Sequence, residues 1–148
     1  MRAVLHLAAI GGLLLAGCGA PRPFALDLGH EPCDHCHMTL TDTRFAAELV
    51  TRTGREFRFD DIGCLAAFLA DSGWLLADGG AAWVSDFQHP GHWLRSDSAI
   101  YLRTAALHTP MASGVIALAG GGPVDSLAAA LAATRLDWTG LPATTGPR

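Results

Sequence analysis

The chain has 148 residues, of which 50% are hydrophobic and 16% are charged. This composition predicts one compact domain with a hydrophobic core and argues against a disordered chain. All ten cationic residues are arginines scattered singly, and with 14 acidic residues they give a formal net charge of −4. Nucleic-acid binding, which needs a clustered basic surface, is therefore not expected.

The N-terminal segment is predicted to direct export. A charged start precedes an apolar stretch, Ala3–Ala16, which is shorter than the roughly 20 residues of a membrane-spanning helix. Small residues then precede Cys18, an arrangement that resembles a bacterial lipobox. Residues 1–17 are thus predicted to be a lipoprotein signal peptide and Cys18 the lipidated N-terminus; an uncleaved membrane anchor is the alternative. Either interpretation places the domain on the periplasmic side, with residues 18–29 as the lipidated cysteine and a tether.

The next part of the chain predicts a β-hairpin followed by a helix. Two short runs of β-forming residues, Phe45–Thr51 and Glu56–Phe59, flank a turn at Gly54. Over Asp60–Ser72 the apolar residues recur at the i, i+3, i+4, i+7 spacing of one helix face, and Gly73 ends the pattern. Together these segments predict one ββα unit.

The second half predicts further strands and another helix. The strands are expected at Trp83–Phe87, Ala99–Arg103 and Val115–Ala119. Gly120–Gly122 breaks the pattern as a turn, and a second amphipathic helix is predicted from Pro123 to about residue 134. The predicted fold class is α+β, with two ββα-like units whose helices pack on short antiparallel sheets.

The residues that could carry chemistry concentrate directly before the first predicted strand. Two thiols, two imidazoles and a thioether fall within the six residues from Cys33 to Met38. A CxxC pair brings Cys33 and Cys36 onto one ion, and the soft thioether of Met38 favours monovalent copper over zinc. Once Cys18 is assigned to lipid, three thiols remain, an odd number that disulfides alone do not explain outside the cytoplasm.

Other interpretations of the same residues stay open at this point. The CxxC pair could be a disulfide, or a zinc site that recruits His89 and His92. A thiol oxidoreductase could set Thr109-Pro110 opposite the CxxC pair, although no βαβ unit precedes it. Cys64, within the first predicted helix, is interpreted as a buried small hydrophobe that could still face the site.

Several motifs taken together resemble the NosL family, the nitrous-oxide-reductase accessory lipoproteins that are periplasmic copper chaperones. The motifs are the lipobox, Cys33-x-x-Cys36-x-Met38, the hairpin ending Phe59-Asp60-Asp61-Ile62-Gly63-Cys64, and Tyr101-Leu102 running on to Thr109-Pro110-Met111-Ala112-Ser113-Gly114. The resemblance covers about His30 to Thr134. It implies a NosL-like copper-binding domain over residues 30–139, followed by a flexible tail at 140–148.

The resemblance also implies a copper(I) site that joins the two halves of the domain. The implied ligands in this sequence are Cys33, Cys36, Met38 and Met111. The ion would pass by ligand exchange to an apo-cuproenzyme or its copper-site assembly complex, with nitrous oxide reductase or a related protein as the client in denitrification. The chain is not expected to be an enzyme, and its membrane contact would be the N-terminal lipid.

This sequence departs from the NosL pattern beside the CxxC pair. Many NosL relatives have glycine where this chain has His37. His37 is therefore interpreted either as an additional ligand or as a residue of a solvated turn, and His35 is open in the same way.

Overall fold

The computed structural model describes residues 20–141. The predicted signal peptide, residues 1–17, and the predicted lipidation residue, Cys18, lie outside the described residues. None of the helices in the described part of the chain has the length and apolar character needed to span a bilayer.

Helices and short antiparallel sheets make up the structure, which confirms the predicted α+β class. The first sheet has the strand order β2-β1-β3-β4, and the second has the order β6-β5-β7. The elements are β1 (Ala47–Val50), β2 (Glu56–Phe59), α1 (Ile62–Ser72), α2 (Trp74–Ala77), β3 (Ala81–Ser85), β4 (Trp93–Arg95), β5 (Ile100–Arg103), β6 (Val115–Leu118), α3 (Val124–Ala130) and β7 (Thr134–Leu136).

The predicted hairpin and first helix are both present. Strands β1 and β2 pair antiparallel with Leu49 opposite Phe57. Gly54 adopts a φ of 85° in the turn between them, a conformation that costs glycine little. Helix α1 starts after Asp61, whose carboxylate accepts a hydrogen bond from the Gly63 N–H. Asp61 is thus an N-cap, which explains why the helix begins two residues after the predicted start.

The second half contains two short strands that the sequence did not predict. Strand β4 extends the first sheet by pairing with β3, and β7 extends the second sheet by pairing with β5. The predicted second helix is too long, because α3 ends at Ala130 and Ala132 takes a left-handed φ of 46°. The β1-β2-α1 and β5-β6-α3 segments nevertheless form the two expected ββα-like units.

One hydrophobic core joins the two sheets. Helix α1 packs on the first sheet through Leu65, and fully buried Leu49, Phe59 and Tyr101 belong to the same cluster. The sheets also meet at the main chain, where Asp86 and Ala117 form a parallel bridge. The loop before β1 and the start of α1 are therefore held in one packed unit.

Packing extends beyond the predicted domain limits. Phe24 donates its N–H to the Glu48 carboxylate at 3.1 Å, and the Arg58 guanidinium lies 4.8 Å from the Phe24 ring centre. Phe24, within the segment predicted as a tether, thus lies against the first sheet. At the other end Leu141 is fully buried, and the remainder of the predicted tail, residues 142–148, lies outside the described residues.

Candidate metal centre

The CxxC pair lies in a short closed loop. Pro32 and Thr39 form an antiparallel bridge at its ends. Inside the bridge the Cys33 N–H donates to the Met38 carbonyl at 2.8 Å, and the His37 N–H donates to the Cys33 carbonyl at 3.0 Å. His37 closes the loop with a left-handed φ of 63°, the conformation that favours glycine. A glycine at this position would adopt the same backbone without strain.

The loop is fastened to the end of β2 by a reciprocal pair of hydrogen bonds. The Asp34 N–H donates to the Arg58 carbonyl at 2.8 Å, and the Arg58 N–H donates to the Asp34 carboxylate at 2.6 Å. Since α1 follows β2 after only Asp60 and Asp61, these bonds place the CxxC loop beside the first turn of α1.

Three thiols and one carboxylate converge at that junction. The ligand atoms of Cys33, Cys36, Cys64 and Asp60 all lie within 4.8 Å of one another. A tetrahedral ion with metal–sulfur bonds of about 2.3 Å separates its thiolates by about 3.8 Å, so a small contraction would bring these atoms onto one ion. No other group of three or more histidine, cysteine or carboxylate ligands occurs among residues 20–141. We call these four residues the cysteine cluster.

The cysteine cluster is largely shielded from water. Cys33, Asp60 and Cys64 are buried, and Cys36 is half-buried. The Cys36 thiol hydrogen-bonds to the Asp60 carboxylate with a sulfur–oxygen distance of 3.4 Å. All three cysteines in the described part of the chain are free thiols, so each sulfur is available to a metal.

The thiols differ in acidity. A hydrogen bond from Cys64 lowers the pKa of Cys33 to about 6. Burial raises the pKa of Cys36 to about 11, and the bond that Cys64 donates to Cys33, together with burial, raises the pKa of Cys64. One thiolate and two thiols are therefore favoured at neutral pH, and a soft cation would displace the remaining protons.

The two predicted methionine ligands lie at the surface. Met38 is 51% exposed and Met111 is 43% exposed. Met38 and Asp60 line an open cleft of about 600 Å³, which Pro110, the neighbour of Met111, also lines. The carboxylate of Asp60 is therefore shared between the cysteine cluster and a cleft that is open to solvent.

Comparison with known proteins bears on the fold. A scan against models of protein families found no match, and a search of curated proteins found none either. A search of solved structures matched the copper chaperone NosL from Shewanella denitrificans, with a TM-score of 0.66, covering 80% of this chain and 93% of that chain at 16% sequence identity. This chain has the NosL fold. The resemblance inferred from the motifs is therefore confirmed for the fold.

Within this NosL-like fold the cysteine cluster contains two residues beyond the predicted ligands. Cys64 is buried, as predicted, but its sulfur also faces the metal-ligating group. Asp60 was predicted only as part of a helix start. The odd number of thiols was the signal that Cys64 had a further role, whereas no local pattern distinguished Asp60 from Asp61.

The geometry also bears on the other interpretations of the CxxC pair. His89 and His92 are not grouped with the cysteines, and His89 instead bonds Asp86 at 3.0 Å, so the zinc site built from these histidines is wrong. The CxxC pair lies in a tight loop rather than at a helix N-terminus.

Proposed function

We propose that this chain is a copper(I) metallochaperone, a periplasmic lipoprotein anchored through Cys18 that delivers copper for assembly of a cuproenzyme. The observation that carries the proposal is the cysteine cluster, in which three free thiols and a carboxylate converge within 4.8 Å inside a NosL-like fold. The solved NosL protein that shares this fold is itself a copper chaperone.

The donor set favours copper(I). Thiolates are soft ligands and copper(I) is a soft ion, while burial of Cys33 and Cys64 keeps water and oxygen from the bound metal. The Cys33 thiolate is already favoured at neutral pH because its pKa is about 6. The first metal–sulfur bond therefore needs little proton release.

Exposed ligands give the ion a route in and out. Cys36 is half-buried, and Met38 and Met111 are exposed near the cleft that Asp60 lines. In the proposal Cys33, Cys36, Met38 and Met111 bind copper as the NosL resemblance implies, and Cys64 joins them from the buried side. A client offering thiol, thioether or imidazole groups at the cleft would take the ion by stepwise ligand exchange. Nitrous oxide reductase or a related apo-cuproenzyme, or its assembly complex, is the proposed client.

The test is an anaerobic titration of the reduced full-length chain in detergent. Copper(I) competes with a chromophoric chelator, and zinc is titrated separately. We expect tight copper(I) binding that falls by an order of magnitude or more in Cys36→Ser and in the double variant Met38→Leu with Met111→Leu. His89→Ala with His92→Ala is the matched control and should bind copper as the parent does.

Each other outcome contradicts part of the proposal. Preference for zinc would make the cysteine cluster a structural zinc site. Copper binding that survives loss of both methionines would remove Met38 and Met111 from the site and leave the cysteines as the only ligands.

A second candidate, a thiol-disulfide protein that reduces a client's copper-site cysteines, draws support from the lowered pKa of Cys33. Accessibility disfavours it, since Cys33 is fully buried and the half-buried Cys36 has a pKa raised to about 11. A reactive exchange thiol is both ionised and accessible. Metal-free chain that reduces a disulfide substrate, with activity lost in Cys36→Ser and kept in the methionine double variant, would favour this candidate.

A further inference from the structure

Asp61 makes more hydrogen bonds than its role as a helix cap requires. The side chain is fully buried, and its Oδ1 accepts the Gly63 N–H at 2.6 Å as the N-cap of α1. A single such bond is the usual contribution of a capping carboxylate. The remaining acceptor sites of Asp61 face a distant part of the chain.

That distant part is the loop between β5 and β6. Thr109 donates its hydroxyl to Asp61 Oδ2 at 2.6 Å, and the Met111 N–H donates to the same oxygen at 3.0 Å. Ser113 donates its hydroxyl to Oδ1 at 2.5 Å. Each carboxylate oxygen thus accepts two bonds, and three of the four donors belong to residues 109–113, which we call the methionine loop.

The methionine loop is pressed against the start of α1. A Cβ added at Gly63, in the first turn of α1, would lie 2.6 Å from the Ser113 Cβ of this loop. Ala112 holds a left-handed φ of 55°. Because the loop contains no helix or strand of its own, its contacts with Asp61 define where the Met111 main chain lies.

Asp60 and Asp61 therefore divide two tasks at the start of α1. Asp60 points its carboxylate into the cysteine cluster, while Asp61 fixes the methionine loop beside it. We infer that Asp61 is the positioning residue that holds Met111 within reach of copper at the cysteine cluster. This inference rests on the proposed function, since it assigns Met111 the role of a copper ligand.

Asp61→Asn is the sharpest variant, because asparagine keeps the shape but has only one oxygen acceptor. Its amide NH₂ would face two donors, so part of the methionine loop would be released. Residues that orient a metal ligand typically change metal affinity by about 10- to 100-fold when replaced. We expect a loss of that size for copper(I), measured by chelator competition on the reduced full-length chain in detergent.

A double-mutant cycle separates positioning from a general structural effect. If Asp61 acts through Met111, Asp61→Asn should weaken copper(I) binding in the parent and cause almost no further loss in Met111→Leu. The ¹³C-methyl resonance of Met111 should shift on copper addition in the parent and not in Asp61→Asn. Tyr101→Phe is the matched control, because it removes a buried 2.6 Å bond to the Ser96 carbonyl outside the cysteine cluster and should leave copper affinity unchanged.

Circular dichroism establishes that each variant is folded at the titration temperature. Where Asp61→Asn does not fold, Ser113→Ala removes a single bond to the same carboxylate and should show a smaller loss with the same dependence on Met111. Additive losses in the cycle would overturn the inference. So would a Met111 ¹³C-methyl resonance that still shifts on copper addition in a folded Asp61→Asn variant as it does in the parent.

Failure of the inference is distinguishable from failure of the proposed function. Weak binding in Cys36→Ser with normal binding in Met111→Leu would keep the copper function and overturn the role of Asp61. Normal copper binding in Cys36→Ser would overturn the proposed function itself.

Discussion

The sulfur atoms of Cys33 and Cys64 lie within 4.8 Å of each other, although Cys33 is in the loop before β1 and Cys64 is in the first turn of α1. The hydrogen bond between them lowers the pKa of Cys33 and raises that of Cys64. Cys64 can therefore act on the bound metal as a ligand and on the ionisation of Cys33 as a hydrogen-bond donor.

Two substitutions at Cys64 separate these effects. Cys64→Ser keeps a hydrogen-bond donor but removes a soft ligand, so copper(I) affinity should fall while the pKa of Cys33 stays low. Cys64→Ala removes both, so affinity should fall and the pKa of Cys33 should rise from about 6 toward its ordinary value. Chelator competition and the ultraviolet absorbance of the thiolate measure the two quantities. Parent-like copper affinity in Cys64→Ser would show that Cys64 is not a ligand.

Glu48 should make the fold less stable as pH rises. The side chain is fully buried, and its Oε1 has no hydrogen-bond partner within residues 20–141. Burial raises its pKa from 4.5 to about 8. The folded state therefore binds this proton more tightly than the unfolded state. The resulting contribution to the free energy of unfolding is fully present below pH 4.5 and is lost as pH rises through about 8. Between these values the free energy of unfolding falls by at most about 1.4 kcal/mol per pH unit.

Glu48→Gln tests that dependence because glutamine does not titrate. The free energy of unfolding, from urea denaturation, should increasingly favour the variant between pH 5 and 8 and then level off. Asp71→Asn is the matched control, since Asp71 is an exposed residue of α1 that does not contribute to the pKa shift of Glu48, and its replacement should leave the profile of the parent. A difference between Glu48→Gln and the parent that is constant with pH would contradict the assignment.

His37→Gly should stabilise the fold and leave copper binding unchanged. The left-handed backbone at His37 costs a non-glycine residue about 1 kcal/mol, and glycine would remove that cost. We expect a higher melting temperature and copper(I) affinity within about twofold of the parent. His35→Ala, at an exposed position of the same loop, is the control. A large loss of copper affinity in His37→Gly alone would identify His37 as a ligand.

Gly63→Ala should destabilise the junction between α1 and the methionine loop. The added Cβ would lie 2.6 Å from the Ser113 Cβ, and overpacking of this kind typically costs about 1–3 kcal/mol. Gly120→Ala is the matched control because its Cβ meets nothing within 4 Å. Urea denaturation should show a lower free energy of unfolding for Gly63→Ala only. Equal free energies of unfolding for the two variants would show that the methionine loop can move to accommodate the added methyl group without loss of stability.

Local sequence patterns predicted strands and helices well where β-forming residues are grouped or apolar residues recur at helical spacing. The β1-β2 hairpin follows from β-forming runs around Gly54, and α1 follows from one apolar face after Asp61. Strands β4 and β7 have only three residues each. Strands this short show no alternation of their own, and they exist because β3 and β5 offer an edge to pair with.

Residue types and local spacing were enough to identify side chains that could bind a soft metal, namely the CxxC pair, Met38 and an unpaired third thiol. The folded chain was needed to show that Cys64 and Asp60 group with Cys33 and Cys36, and that Met38 and Met111 are exposed at the surface. The reason is that distant side chains meet through packing rather than through local spacing. Here the CxxC loop is bonded to the end of β2, and α1 starts directly after that strand.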